Sequence, residues 1–472
     1  MTMSDKCIVW FRQDLRIRDN LTLQYCKERN VRILPIFIFD PDIDIGSCSK
    51  YWLFHSLKSL NESLNNSLRV YYGSTAEILE KLFKTGEYQE ISWNKMYDGK
   101  SLKIENQINK IAIKHGLKSF IYNSSLILNP SETLKKDGTP YRVFTPFYKQ
   151  NYFNIKFTTN NLKTKDLEII PSSSIKTHID SIKDFMISTK SQWIKKFDGI
   201  WEYGEKSAEK KLNNFLNAGI DNYDEGRNRP DKPNTSRLSP HIHFGEISVA
   251  RIASCLNLNN KDHERFYSEL VWREFSYNLL YYNKQLPKNN LQTKFDIFPW
   301  INNKTELRKW QLGQTGYPIV DAGMRELWET GYMHNRVRMI VGSFLVKNLM
   351  IHWKYGLKWF WDTLMDADIA SNSASWQWVA GTGADAAPYF RIFNPVTQSK
   401  KFDPDAEYIR KYVPELRNIP NKYIHLPSEL DEISLNEYGV KLGSDYPYPI
   451  VDLSVTRQRA LAAFQKISKL TS

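Results

Sequence analysis

The stretch ILPIFIFDPDIDIGSCSKYWLFHSLKSLNESL (residues 33–64) contains the pattern that decides the fold of the N-terminal part. It begins with a short apolar run, which is typical of a strand buried on both faces of a sheet. It then changes to a segment with apolar side chains near helical period, among them Trp52, Leu57 and Leu60. A buried strand followed by an amphipathic helix predicts a βα unit of a parallel sheet.

The same alternation continues through residues 1–130. Further short apolar or β-branched runs are CIVWF from Cys7, RVYYG from Arg69, EISW from Glu90 and SFIYN from Ser119. Amphipathic segments separate these runs, as expected of strands joined by crossover helices. We therefore predict an α/β domain with a Rossmann-like parallel sheet over residues 1–130.

The remainder of the chain has a different pattern. Residues 131–190 lack sustained periodicity and are rich in Lys, Ser and Thr, so we predict a long interdomain linker there. Helical periodicity dominates from residue 191 onward, for example in HERFYSELVWREFSYNLLYY from His263. The predicted fold class is an α/β domain followed by an all-α domain over residues 191–472.

Composition narrows the class of partner. The formal net charge is +13, and 11 of the 14 Trp follow residue 190. A basic, aromatic protein suits a polyanion such as nucleic acid, although a basic proteome or simple solubility explains the charge equally well. Four scattered Cys indicate reduced thiols, and the N-terminus has no apolar signal core. We expect a cytoplasmic protein that does not cross a membrane.

The segment NTSRLSPHIHFGEIS crowds hydroxyl groups and a guanidinium before a predicted helix. Thr235, Ser236 and Ser239 can donate hydrogen bonds, and Arg237 supplies positive charge. With backbone N–H groups at a helix start, such a segment suits a phosphate or pyrophosphate. The alternative is a plain N-cap with Pro240 at the first helical position, a common device.

The segment SELVWREF places Glu269, Trp272 and Arg273 on one helix face, since they are spaced i, i+3 and i+4. A carboxylate beside an indole and a guanidinium could bind a planar heterocycle that carries N–H groups. The alternative is a buried Trp with a Glu–Arg pair at the surface.

The segment MHNRVRM places Asn335, Arg338 and Met339 on another helix face. Arg338 is a natural partner for Asp366 or Asp368, which would otherwise be uncompensated near a buried site. A structural ion pair explains the same residues equally well.

The residue types of GTGADAA match the G-x-G-x-x-A dinucleotide-binding pattern, but their context along the chain does not. It follows a helical aromatic segment rather than a strand, and Pro388 stands where the next helix should continue. We interpret its glycines as a helix end and a turn. The sequence contains no P-loop, nucleophile elbow, H-E-x-x-H or carboxylate-rich metal motif, so a hydrolase is poorly supported.

Several long motifs, in order along the chain, resemble the photolyase/cryptochrome family. They are WFRQDLRIRDN, TSRLSP, WREF, TGYPIVDAGMREL, MHNRVRM, SWQWVAGTGADAAPYFRIFNP and KFDP. The resemblance spans residues 7–464 and is nearest to bacterial class I photolyases that act on cyclobutane pyrimidine dimers. The family architecture, an α/β antenna domain and a helical FAD domain joined by a linker, agrees with the predicted fold.

The resemblance implies a U-shaped FAD in the helical domain. Asn372 matches the residue that faces the flavin ring at N5. The other residues that match cofactor positions are Tyr223, Thr235, Ser236, Arg237, Leu238, Ser239, Arg338, Asp366 and Asp368.

The resemblance also implies a pocket for a pyrimidine dimer flipped out of UV-damaged DNA, single- or double-stranded. Glu269 matches the carboxylate that hydrogen-bonds the dimer, and Trp272 and Trp378 match its aromatic walls. Asn335 and Met339 match further walls. Matches to DNA-contacting positions around the pocket are Arg273, Arg336 and Gln398.

The implied activity is light-driven electron transfer from reduced FAD to the dimer, followed by ring splitting and return of the electron. Trp376, Trp353 and Trp300 match a relay of three indoles that restores reduced flavin. Photoreduction is thus expected to be separate from repair.

The expected antenna site departs from the family pattern. Lys100 and Ser101 stand where the best-known relatives have the Asn-Glu pair that holds methenyltetrahydrofolate. Folate, a deazaflavin, another flavin and an empty site all remain open, and we expect methenyltetrahydrofolate ahead of a deazaflavin.

A signalling cryptochrome is the main alternative to a repair enzyme. The Asn372 match, the dimer pocket and the absence of a long C-terminal tail favour repair. A photolyase for (6-4) lesions is less favoured, because MHNRVRM lacks the additional His expected for acid–base chemistry. A flavoprotein that binds DNA without photochemistry is a third class. We expect a monomer.

Overall fold

The computed structural model describes residues 5–153, 155–171, 189–386, 388–389 and 391–471. Part of the predicted linker, residues 172–188, lies outside the described residues. The chain divides into two compact units. The first unit comprises Met1–Ala218, Ser236–Lys284 and Met365–Asp368, and the second comprises Gly219–Thr235, Gln285–Leu364 and Ile369–Ser472.

The first unit contains a five-stranded sheet. Its strands are β1 (Lys6–Phe11), β2 (Arg32–Phe39), β3 (Arg69–Tyr72), β4 (Glu90–Asn94) and β5 (Lys118–Tyr122). All neighbours pair in parallel in the order β3–β2–β1–β4–β5. The parallel α/β sheet predicted from the apolar runs is confirmed.

Helices connect these strands. They are α1 (Leu21–Glu28), α2 (Ser47–Ser63), α3 (Thr75–Lys84) and α4 (Gly99–Lys114). Trp10 and Trp93 of the central strands pack with Phe83 of α3 and Ile108 of α4 in one buried cluster. Burial of these side chains fixes the helices on the sheet, because it removes large apolar surfaces from water.

The described part of the predicted linker contains a helix, α5 (Phe144–Asn151), that the sequence analysis did not predict. At eight residues, α5 is too short to show sustained periodicity. Further along, the backbone N–H of Ile33 donates to the carbonyl oxygen of Glu168 at 2.8 Å. The linker therefore packs against the sheet at that point.

The following helices, in chain order, are α6 (Glu205–Ala218), α7 (Tyr223–Gly226), α8 (Ser239–His243), α9 (Val249–Ser254) and α10 (Lys261–Tyr282). The long helix α10 begins after Asn260, whose side chain accepts hydrogen bonds from the N–H groups of Asp262 and His263. Helices α6 and α8–α10 belong to the first unit, and α7 belongs to the second.

The second unit is helical in its described residues. Its further helices are α11 (Lys304–Leu312), α12 (Pro318–Thr330), α13 (Asn335–Ser343), α14 (Trp353–Thr363), α15 (Ile369–Ala380), α16 (Pro395–Phe402), α17 (Glu407–Tyr412), α18 (Asn421–Ile424), α19 (Glu432–Glu437) and α20 (Leu453–Thr471). Gly356 lets α14 approach α15, since a Cβ there would lie 2.1 Å from the Trp376 ring. The two-part fold class is confirmed.

Candidate functional site

Two aspartates of the first unit are each held by a hydroxyl group. The Ser239 hydroxyl donates to Oδ2 of Asp366 at 2.6 Å, and the buried Tyr277 hydroxyl donates to Oδ2 of Asp368. Burial raises the pKa of Tyr277 well above its usual value, so its hydroxyl stays a donor. His243 Nδ1 lies 3.7 Å from the same oxygen of Asp368. Both carboxylates are therefore fixed as acceptors for a ligand with N–H groups.

The hydroxyl-rich segment leads into a short helix, α8 (Ser239–His243). Helix α8 has five residues, so its dipole is small. Ser236 Oγ accepts from the N–H of Leu238 at 3.3 Å. Arg237 has a left-handed backbone (φ 51°), and its guanidinium lies 5.6 Å from the Trp201 ring centroid. The hydroxyls of Ser236 and Ser239 already take part in protein hydrogen bonds.

Two other residues of the predicted cofactor set, Tyr223 and Thr235, belong to the second unit. Tyr223 begins α7 and is buried, and the guanidinium of Arg227 lies 5.9 Å from its ring centroid. Thr235 is half-buried.

Trp272 presents one covered ring face in the first unit. Its ring stacks on that of Phe144, with centroids 3.9 Å apart and planes 6° apart. Trp272 is half-buried, and Glu269 lies one turn earlier on α10, 3.7 Å from the guanidinium of Arg265. The opposite ring face is the one that could stack on a base.

Arg273 points its guanidinium at protein acceptors of the first unit. It donates to the carbonyl oxygen of Ser125 at 3.0 Å and lies 4.8 Å from the Tyr277 ring centroid. Its side chain is 15% exposed. A phosphate contact would require these bonds to be exchanged.

Glu274, the neighbour of Arg273, is fully buried. Burial raises its pKa to about 7, while Arg273 and hydrogen bonds from Ile127 N–H and the Tyr152 hydroxyl lower it in part. A raised carboxyl pKa marks a group whose charge is costly in the fold.

The three predicted relay indoles all lie in the second unit. Trp376 is 3% exposed and packs on Phe360, with ring centroids 5.0 Å apart. His352 is in ring contact with Trp300 at 4.9 Å and with Trp353 at 5.4 Å. Burial, aided by Lys354, lowers the pKa of His352 to about 4, so its ring is neutral near pH 7.

Asn372 and Trp378 occupy α15 with Trp376. The amide nitrogen of Asn372 donates to the carbonyl oxygen of Leu357 at 3.2 Å, which fixes the side chain. Residues 376 and 378 are about 200° apart around the helix. Trp376 therefore faces the core, whereas Trp378 is half-buried on another face.

The residues predicted on α13 lie near its start. Asn335 is exposed and Met339 is half-buried. Arg336 donates to Oδ1 of Asn228, and its guanidinium lies 4.3 Å from the Phe402 ring centroid.

The other predicted cation on α13, Arg338, donates from Nε to the carbonyl oxygen of Met333 at 2.7 Å. Its guanidinium also lies 5.3 Å from the Tyr332 ring centroid. Gln398 is half-buried on α16, and the backbone N–H groups of Val396 and Thr397 at the start of this helix are capped by Asn394.

The glycines of GTGADAA end a helix. Helix α15 ends at Ala380, and Gly381 follows with φ 83°. No group of His, Cys, Asp and Glu in the described part of the chain could hold a metal ion. Within the same described residues, no helix is long and apolar enough to cross a membrane.

Sequence reasoning missed several residues that contact the predicted ones, among them Tyr277, Phe144, Asn290 and His352. Tyr277 lies one turn after Arg273 on α10, and this spacing was an available signal. His352 directly precedes Trp353, which was a further available signal. Phe144 and Asn290 give no local signal, because their contacts depend on tertiary packing.

The chain combines a parallel α/β sheet with a helical part, and comparison with known proteins identifies its family. The chain matches the family model for DNA photolyase over residues 7–163 and that for the FAD binding domain of DNA photolyase over residues 266–466. It is 41% identical to a deoxyribodipyrimidine photo-lyase of Agrobacterium fabrum over 98% of both chains. The chain belongs to the photolyase/cryptochrome family.

Two further relatives refine this placement. The crystal structure of a bacterial class III photolyase from Agrobacterium tumefaciens superimposes with a TM-score of 0.94, at 41% identity and 99% coverage of both chains. Cryptochrome-1 of Arabidopsis thaliana is 32% identical over 98% of this chain and 70% of its own length. Family membership is confirmed. This solved relative is a class III photolyase, whereas the motifs in the sequence predicted a chain nearest class I.

Proposed function

We propose that this chain is a light-dependent DNA repair enzyme, a deoxyribodipyrimidine photo-lyase that splits cyclobutane pyrimidine dimers. The observation that carries the proposal is the 41% identity to a photo-lyase over 98% of both chains. Identity to the plant cryptochrome is lower, at 32%.

FAD is the cofactor of this proposal, and when bound it supplies the light-driven electron chemistry. The acceptor oxygens of the first unit fit such a group, because Asp366 and Asp368 are each oriented by a hydroxyl and can accept from ring N–H groups. In the second unit, the fixed amide of Asn372 still has an oxygen and an N–H for a polar ring edge. Tyr223, Thr235, Ser236, Arg237, Leu238, Ser239 and Arg338 complete the proposed cofactor residues.

The proposed substrate is UV-damaged DNA with the dimer flipped out of the stack. In the first unit, Trp272 is held flat by Phe144 and can stack on a base, which contributes about 1–3 kcal/mol in comparable sites. Glu269 on the same helix can hydrogen-bond the dimer. In the second unit, the proposed contacts are Asn335, Arg336, Met339, Trp378 and Gln398, and Arg273 of the first unit is proposed with them.

The proposed relay consists of Trp376, Trp353 and Trp300. Support comes from the second unit, where His352 is in ring contact with two of them. The imidazole of His352 is neutral near pH 7 and so adds no positive charge of its own next to these two indoles.

An antenna chromophore is part of the proposal, with methenyltetrahydrofolate ahead of a deazaflavin. Ser101, at the position that departs from the family pattern, is buried in α4 with its Oγ 3.8 Å from Met96 Sδ. We also propose a cytoplasmic monomer, with an α/β domain over 1–130, a linker over 131–190 and a catalytic domain over 191–472.

Blue-light signalling is the second candidate, because the similarity to a plant cryptochrome extends over 98% of this chain. One experiment separates the two. Reduced protein is mixed with a single-stranded oligonucleotide that contains a cyclobutane dimer, and dimer loss is measured in blue light and in darkness. Loss in blue light alone supports repair, and no loss with reduced FAD bound favours signalling.

A further inference from the structure

The indole N–H groups of two proposed relay residues have different surroundings in the second unit. Trp353 donates from Nε1 to Oδ1 of Asn290 at 2.8 Å. Trp376 Nε1 is buried and has no hydrogen-bond partner among the described residues. An acceptor oxygen lowers the energy of positive charge on an indole, so the two rings are not equivalent electron donors.

Asn290 is itself paired with a carboxylate. Its amide nitrogen donates to Oδ1 of Asp296 at 2.7 Å. Hydrogen bonds in series polarise one another, so the negative charge of Asp296 strengthens Oδ1 of Asn290 as an acceptor. The chain of contacts runs from the fully buried Trp353 to the exposed Asp296.

The loop that carries Asn290 is anchored by Gln377. The amide nitrogen of Gln377 donates to the carbonyl oxygens of Leu286 and Asn289, at 2.7 and 2.9 Å, and its Oε1 accepts from the N–H of Leu291 at 3.0 Å. Gln377 is fully buried. Asn290 is therefore held in position before any charge develops, which is what electrostatic stabilisation requires.

We propose that Asn290 and Asp296 are positioning residues that favour positive charge on Trp353 over Trp376 and offset the Lys354 ammonium, which lies 5.8 Å from the Trp353 ring centroid. This inference rests on the relay of the proposed function. One electron passes from Trp353 to oxidised Trp376, which becomes neutral while Trp353 takes the positive charge. No bond forms or breaks, and the Trp353 proton stays on Nε1 in the hydrogen bond to Asn290. Charge then moves outward, away from the ring that lacks an acceptor.

Two substitutions in the flavin-loaded protein test the assignment. Asp296→Asn removes the charge and keeps an oxygen for the Asn290 amide, whereas Asn290→Leu removes the acceptor itself. We expect the yield of light-driven flavin reduction to fall about two- to fivefold in the first, the range of an exposed charge interaction. We expect a fall of about tenfold or more in the second, because a charged hydrogen bond is lost. In transient absorption, the oxidised indole should disappear faster in Asp296→Asn than in the native protein, and faster still in Asn290→Leu.

The matched control is Asp431→Asn, which neutralises another exposed carboxylate of the second unit and retains a side chain able to cap α19. It should leave the reduction yield unchanged. Repair by pre-reduced protein should be unchanged in all three variants. Equal reduction yields in the native protein and Asp296→Asn would overturn the proposal. Because Asp296 is exposed, this variant still provides a test if Asn290→Leu fails to fold.

A readout without light separates this inference from the proposed function. The indole N–H resonance of Trp353, assigned by its loss in Trp353→Phe, should shift in Asp296→Asn but not in Asp431→Asn. An unmoved resonance contradicts the pairing. If the resonance shifts but the native protein shows no photoreduction, the relay of the proposed function fails, and the proposed role of the pair in it fails too.

Discussion

The ring of Trp272 lies flat on the ring of Phe144, with centroids 3.9 Å apart and planes 6° apart. The stack joins α10 to α5, a helix within the predicted linker. It fixes the orientation of Trp272, which is half-buried. The segment between the sheet and the helices thus supplies a supporting residue for the proposed lesion site.

Phe144→Leu should weaken binding of dimer-containing DNA, because the stacked pair contributes about 0.5–1.5 kcal/mol beyond its burial. We expect the dissociation constant for a dimer-containing oligonucleotide to rise about two- to tenfold. Phe215→Leu is the control, since Phe215 is a similarly buried ring of the first unit that packs on Phe266. Equal binding by both variants would refute the supporting role of Phe144.

Tyr277→Phe should reduce retention of flavin. The substitution removes the donor to the buried carboxylate of Asp368, which costs about 1–3 kcal/mol for an unsatisfied polar group. The flavin-to-protein ratio after gel filtration and the melting temperature both report the effect. Tyr281→Phe on the same helix should change neither, and normal flavin retention in Tyr277→Phe would show that the hydroxyl is dispensable.

Glu274 should make stability depend on pH. Its folded pKa of about 7 exceeds the value of 4.5 for a free carboxyl. Between these values the folded chain holds a proton that the unfolded chain releases, so the free energy of unfolding falls as pH rises, by about 3 kcal/mol in all.

Urea titrations of the native protein and Glu274→Gln from pH 4.5 to 7.5 should show a shallower fall in the variant. Glu264→Gln, at a half-buried position of α10, should retain the native slope. Parallel curves for Glu274→Gln and the native protein would contradict the assignment.

Trp300→Phe should separate the two light reactions. Loss of the half-buried outer indole slows photoreduction, while repair by pre-reduced protein continues. Flavin absorbance under blue light measures the first process and dimer loss measures the second. Trp193→Phe, a half-buried indole of the first unit, is the control. Equal loss of both activities in Trp300→Phe would show that the relay and repair are not separate.

The sequence was informative where a pattern is local. The strands β1, β2 and β4 are short apolar runs that are buried almost throughout, as the runs predict, whereas β3 and β5 at the sheet edges are only partly buried or exposed. Helix α5 was missed because eight residues give too little periodicity. The bonds Tyr277–Asp368 and Trp353–Asn290 join residues 91 and 63 positions apart, so no local pattern could reveal them. Roles such as those of Asp366 and Trp376 came from motif resemblance, and the structure adds their partners.

The most direct test of the central claim is dimer loss from a single-stranded oligonucleotide under blue light, measured with reduced native protein and with Glu269→Ala. Repair by the native protein and a lower quantum yield in the variant, with DNA still bound, is the predicted result. The absence of light-dependent dimer loss in the native protein with reduced FAD bound would contradict the account.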